Sequence, residues 1–176
     1  MVTCDRAVLL TPAAGCSEPA PEPVEVQANW TMTSITLYLP DFVISERVSA
    51  EALGRYINQL KVEAAKAFAD QPTQAGVTGT IIFIVQPDGR SRVWIVSGEP
   101  ALDATVSDAV TAQLAKTPTP RVSGGPVAVG VNFNAWGGGA PPPGMPMPIP
   151  DSWRRLIPEA GVRMDDDFLA KVWQDG

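Results

Sequence analysis

Apolar residues along this chain repeat with a period of two in some stretches and of about 3.6 in others. In WTMTSITLYLP, residues 30–40, Ile35, Leu37 and Leu39 share one side and Thr36 and Tyr38 the other, which predicts a strand that Pro40 ends. Trp30 and Met32 have the opposite parity, so a bulge is expected between them and Ile35. The period then lengthens in SAEALGRYINQLKVEAAKAFAD: Leu53, Ile57, Leu60, Ala64 and Phe68 form one stripe, with Glu51, Arg55, Lys61, Glu63 and Lys66 off it. That spacing predicts a helix capped by Ser49. Gly54 costs it about 1 kcal/mol, less than burial of the large side chains in the stripe returns.

GTIIFIVQPDGRSRVWIVSG, residues 79–98, is the clearest element: two β-rich runs joined by Pro87-Asp88-Gly89. Pro fixes one backbone angle, Asp bonds its local backbone and Gly takes positive φ, so the stretch predicts a hairpin. EPALDATVSDAVTAQLAK then predicts a second helix, opened by Asp103 or by a Thr105/Asp108 capping box, with Val106, Val110 and Leu114 on its packing side. VAVGVNFNAW, residues 127–136, alternates again and predicts a last strand. The expected fold is α+β: a small antiparallel sheet packed by two helices, with irregular tails.

Eighteen prolines and fifteen glycines gather largely at the two ends. Four parts follow: an N-terminal leader or arm (1–28), the α+β domain (29–136), a Gly/Pro-rich linker (137–150) and a C-terminal helical appendage (151–176). In the appendage DSWRRLIP predicts a short helix, and DDDFLAKVWQ a second with Phe168, Leu169, Val172 and Trp173 on one side. Two readings of that aromatic side stand, docking on its own domain and binding a partner.

A net charge of -6 argues against a phosphate-binding surface, so no nucleic-acid partner is expected. The absence of histidine removes the Ser-His-Asp triad, the Cys-His pair and imidazole metal ligands. Carboxylates would have to carry any hydrolysis. Asp88 reads better as a turn residue, Asp103 and Asp108 as helix-start residues, and Asp165–Asp167 as a solvated helix start without calcium-loop spacing. No catalytic residue, metal site or cofactor is expected.

The start of the chain has two readings. One is an ordinary irregular N-terminus. In the other, Arg6, the apolar run and Ala13-Ala14-Gly15-Cys16 resemble a bacterial lipoprotein signal, which implies a lipidated Cys16 and a periplasmic or outer-membrane-associated protein in place of a cytoplasmic one. No stretch approaches the roughly 20 apolar residues of a membrane span.

The centre of the chain, about residues 50–135, resembles the C-terminal domain of TonB energy transducers. The residues that carry the resemblance are Gly79 to Val85, Asp88-Gly89, Val93 to Val96, Ser97-Gly98, Leu102-Asp103 and Val127 to Phe133. The resemblance implies a cell-envelope protein that engages a peptide or protein through a strand edge, or an energy-transduction component that contacts an outer-membrane receptor. The proline-rich segment follows the domain here, where transducers place it before, which favours the interaction module. Candidate partner-binding residues are Arg121, Val127, Val129, Val131 and Phe133 around the last strand, and Phe168 and Trp173 in the terminal helix. A second copy of the chain, paired through a strand edge, is a further candidate partner.

Overall fold

The computed structural model describes residues 29–157 and 164–175. The N-terminal arm, and with it both readings of Cys16, lies outside the described residues. The fold is α+β, an open four-stranded antiparallel sheet packed against helices. In chain order its elements are β1 (Trp30–Leu37), α1 (Asp41–Arg47), α2 (Ala50–Ala69), β2 (Val77–Val85), β3 (Ser91–Ser97), α3 (Ala104–Leu114), β4 (Val127–Ala135), α4 (Asp151–Arg154) and α5 (Asp166–Asp175). The strands lie in the order β1-β4-β2-β3, so β1 and β3 are the edges.

Local chemistry accounts for the element ends. The Ser49 hydroxyl accepts from Ala52 N at 3.2 Å to open α2, and Asp103, the first of the two expected caps, accepts from Thr105 N at 2.8 Å to open α3. Gly89 takes φ 83° in the hairpin turn, and Arg90 N donates to Asp88 Oδ1 at 3.0 Å. The expected bulge falls between Met32 and Ser34; it returns Trp30 and Met32 to the face that carries Ile35 and Leu37.

One face of the sheet receives α2 and α3. Ile81, Phe83, Val129, Val131 and Phe133 lie there, buried with Ile57, Leu60, Phe68, Val106 and Val110. Phe68 stands 5.2 Å from Phe133 between ring centroids, with Trp30 and Trp136 against it at 6.3 and 5.6 Å.

The opposite face is covered by the segment expected to be a linker. Residues 137–150 run along the sheet as a strap that its side chains hold: Thr36 Oγ1 donates to the Pro146 carbonyl at 2.7 Å, Tyr38 Oη to that of Pro148 at 2.6 Å, and Gly139 N to Thr78 Oγ1 at 3.0 Å. Beneath the strap, buried Asn132 accepts from Thr80 Oγ1 at 2.5 Å and donates to Ser34 Oγ and Thr36 Oγ1 at 2.8 and 2.9 Å. Its amide is thereby satisfied across three strands, as a buried polar side chain requires. Glycine makes the close approach feasible: a Cβ at Gly130 would meet Thr80 and Tyr38, and one at Gly98 would meet the Ala140 carbonyl.

α4 and α5 complete this second layer. Trp153 is 1% exposed and touches Tyr38 at 6.0 Å, Trp94 at 5.3 Å and Phe168 at 6.0 Å, all edge-on. Arg47 makes a bidentate pair with Asp166, at 2.8 and 2.7 Å, and also donates to the Pro126 carbonyl at 2.7 Å, which ties α5 to α1 and to the start of β4. Of the two readings of the terminal helix, docking on its own domain is the one the fold adopts.

Candidate functional site

The expected edge is not an edge. β4 hydrogen-bonds to β1 on one side and to β2 on the other, so its backbone has no free ladder to offer an incoming strand. Val127, Val129, Val131 and Phe133 are buried against the helices and belong to the core. Phe168 is buried as well, beside Trp153. Trp173 is half-buried, its ring under the guanidinium groups of Arg92 and Arg90 at 4.7 and 5.5 Å. Arg121 alone of these candidates is exposed; it lines an open groove of about 680 Å³ with Arg47, Arg55 and Tyr56.

The candidate carboxylates are each occupied or solvated. Asp88 Oδ2 accepts from Arg90 Nε at 2.7 Å, and bonds from the Arg90 backbone and side chain hold its carboxyl below the usual carboxylate range. Asp103 caps α3, Asp108 is exposed on it, Asp165 accepts from Phe168 N at 3.0 Å, and Asp166 is paired with Arg47. Among the described residues, no group of three or more metal-ligating side chains converges. The Ser97 hydroxyl accepts from Leu102 N at 2.9 Å and so shapes the exit from β3.

Backbone geometry and side-chain exposure together single out β1. Tyr38 N donates to Ala128 O at 3.1 Å, so Tyr38 and Ala128 form a hydrogen-bonded pair. Such pairs alternate along an antiparallel ladder, which makes Thr36/Gly130 and Ser34/Asn132 the inward-bonded pairs. The N–H and C=O groups of Ile35 and Leu37 therefore point away from the sheet, and among the described residues nothing bonds them. Their side chains are the exposed ones as well, Ile35 at 44% and Leu37 at 36%. Thr36 and Tyr38, between and after them, face the strap and are buried; burial pushes the Tyr38 hydroxyl far above the usual tyrosine range.

β1 thus presents two outward peptide groups and two apolar side chains on one accessible edge. An extended segment laid beside it would complete the backbone bonds and cover Ile35 and Leu37 together. Sequence reasoning placed Ile35 and Leu37 in a strand without assigning that strand to an edge. The available signal was the run Thr31, Thr33 and Ser34 beside them: short polar residues that suit one solvated flank.

Set against known proteins, the chain matches no family model, no curated protein and no solved structure. Among the described residues, no helix is long and apolar enough to cross a membrane.

Proposed function

We propose that this protein is a non-catalytic interaction module of the cell envelope that binds an extended segment of a partner protein by strand addition to β1. The observation that carries the reading is the coincidence at Ile35 and Leu37 of outward backbone groups with exposed apolar side chains. Backbone bonding supplies affinity that depends little on the partner's sequence, and contacts to the two side chains supply selectivity. The envelope setting rests on the resemblance to TonB C-terminal domains and on the lipoprotein-like Ala13-Ala14-Gly15-Cys16.

A photo-crosslinking residue at position 35, compared with one at the exposed Val62 of α2, tests the reading in native envelope fractions. The expected adducts from position 35 map to one extended segment, and a synthetic peptide of that segment slows hydrogen exchange at the Ile35 and Leu37 amides. Equal adducts from both positions, or a peptide that leaves those amides unchanged, would refute it. An energy-transduction component is the second reading, favoured by the Asp88-Gly89, Ser97-Gly98 and Leu102-Asp103 pattern; it requires the captured segment to belong to an outer-membrane receptor.

A further inference from the structure

Edge strands of soluble sheets commonly carry charges, proline or bulges that stop one edge from pairing with another. β1 has one such device, the bulge between Met32 and Ser34, which disturbs only its first half. No residue from Trp30 to Pro40 is charged. Ser34 to Tyr38 keeps an unbroken register with β4, so this half of the edge is regular as well as uncharged.

The outward positions Ile35 and Leu37 are complementary to themselves. In an antiparallel ladder, the residues that exchange both backbone bonds sit directly opposite each other, and the next such pair lies two residues along. A second copy of β1, related by a two-fold axis through Thr36, sets Ile35 opposite Leu37 of the copy and Leu37 opposite Ile35 of the copy. Every outward N–H and C=O of Ile35 and Leu37 is then bonded. An axis moved to Ile35 or to Leu37 does less well: it leaves the other residue facing Thr33 of the copy, at the bulge, or Leu39 of the copy, beside Pro40.

The side chains agree with that register. Opposed residues of an antiparallel pair share a face, so Ile35, Leu37 and their copies meet as one apolar cluster on the helical side. These are the residues left 44% and 36% exposed in the single chain. On the other side, Thr36 Oγ1 accepts from Asn132 Nδ2 at 2.9 Å and the Tyr38 ring lies over Gly130, so the side chains that hold the strap lean inward over β4.

We propose that two copies of this chain pair through β1, antiparallel about Thr36, and join their four-stranded sheets into one. The contact is small: two outward residues and two apolar side chains per copy bury less than the roughly 1,200 Å² of lasting complexes, and the expected Kd lies above about 10 µM. Dilute chain is therefore monomeric with β1 free, and concentrated chain caps the edge that a partner segment would take. The pairing does not rest on such a partner.

Sedimentation of the full chain from about 1 µM to about 1 mM tests the association. The mass should rise from 18.6 kDa towards twice that value. Ile35→Lys should weaken pairing about tenfold or more, and Val62→Lys, at an exposed site on α2, should leave it unchanged. Crosslinking tests the register in chains that also carry Cys4→Ser and Cys16→Ser. Ile35→Cys mixed with Leu37→Cys should form a disulfide between copies under mild oxidation, since opposed Cα atoms lie about 5.5 Å apart. Neither variant should do so alone, because its two copies of the cysteine are offset by two residues, more than about 7 Å between Cα atoms. A chain that keeps its single-copy mass throughout, pairing that survives Ile35→Lys, or equal crosslinking in unmixed Ile35→Cys would overturn the proposal. The proposed function is read separately, in dilute chain, by the peptide's effect on exchange at Ile35 and Leu37.

Discussion

The two edge strands follow one rule and differ in what covers them. Gln86 N donates to Arg90 O at 2.8 Å and Gly98 N to Thr78 O at 2.9 Å, which makes Trp94/Ile82 and Arg92/Ile84 inward-bonded pairs. The outward backbone groups of β3 therefore belong to Val93 and Ile95, as those of β1 belong to Ile35 and Leu37. In both strands these residues place their side chains on the helical face. On β3 they are covered: Val93 is 8% exposed and Ile95 is half-buried, whereas Ile35 is 44% exposed. A strand added at β3 would find little apolar surface left to bury; one added at β1 gains two large side chains. An edge becomes a binding site through the combination of free peptide groups and uncovered apolar area, and only β1 has both.

The largest expected effect comes from the residue that serves both edges from the opposite face. Trp153 packs on Tyr38, just after β1, and on Trp94 of β3. Trp153→Ala should destabilise the fold by about 3–5 kcal/mol in urea unfolding. It should leave the difference between the edges in place, because Trp153 packs on the strap face while the side chains that distinguish the edges lie on the helical one.

Lysine at matched positions gives the next effect. Ile95→Lys should cost about 2 kcal/mol, since it places a charge in a half-buried apolar setting. Ile35→Lys should change stability by no more than about 0.5 kcal/mol while abolishing strand addition, because a charged edge repels pairing. Equal costs at the two positions, read from the same unfolding experiment, would remove the distinction between the edges.

The smallest effect concerns pH and is confined to the β3 side. The carboxyl of Asp88 titrates below its ordinary range in the folded state because Arg90 bonds it. A depressed carboxylate contributes stability above its unfolded titration range, and that contribution is lost as pH falls through the folded one. Asp88→Asn should therefore lose slightly less stability than the parent chain between neutral pH and acid, as read by unfolding at both. No such difference is expected from substitution in β1.

Much of the helical face could be read from periodicity. The 3.6-residue stripe through Ile57, Leu60 and Phe68, the Pro87-Asp88-Gly89 turn and the Asp103 cap are local features, and local chemistry decides them. The second face could not be read that way. The strap at 137–150 has no internal period; its place is set by acceptors and space offered from far along the chain, by Thr36, Tyr38, Thr78, Gly98 and Gly130. A sequence signal did exist in Thr78, Thr80, Asn132 and Asn134, which line one side of otherwise apolar strands and implied polar cover. α1 was missed because seven residues after Pro40 carry too little periodicity to stand out. The interior position of β4 was legible only in hindsight of its small residues Ala128 and Gly130, which let both faces be covered closely.

The central claim is that the outer flank of β1 is unpaired, and amide hydrogen exchange in the free protein tests it residue by residue. Ile35 and Leu37 should exchange rapidly while Thr36 and Tyr38, bonded to β4, remain protected, giving an alternation along one strand. Protection of Ile35 and Leu37 equal to that of Thr36 and Tyr38 would contradict the account, because the edge assigned to a partner would already be filled.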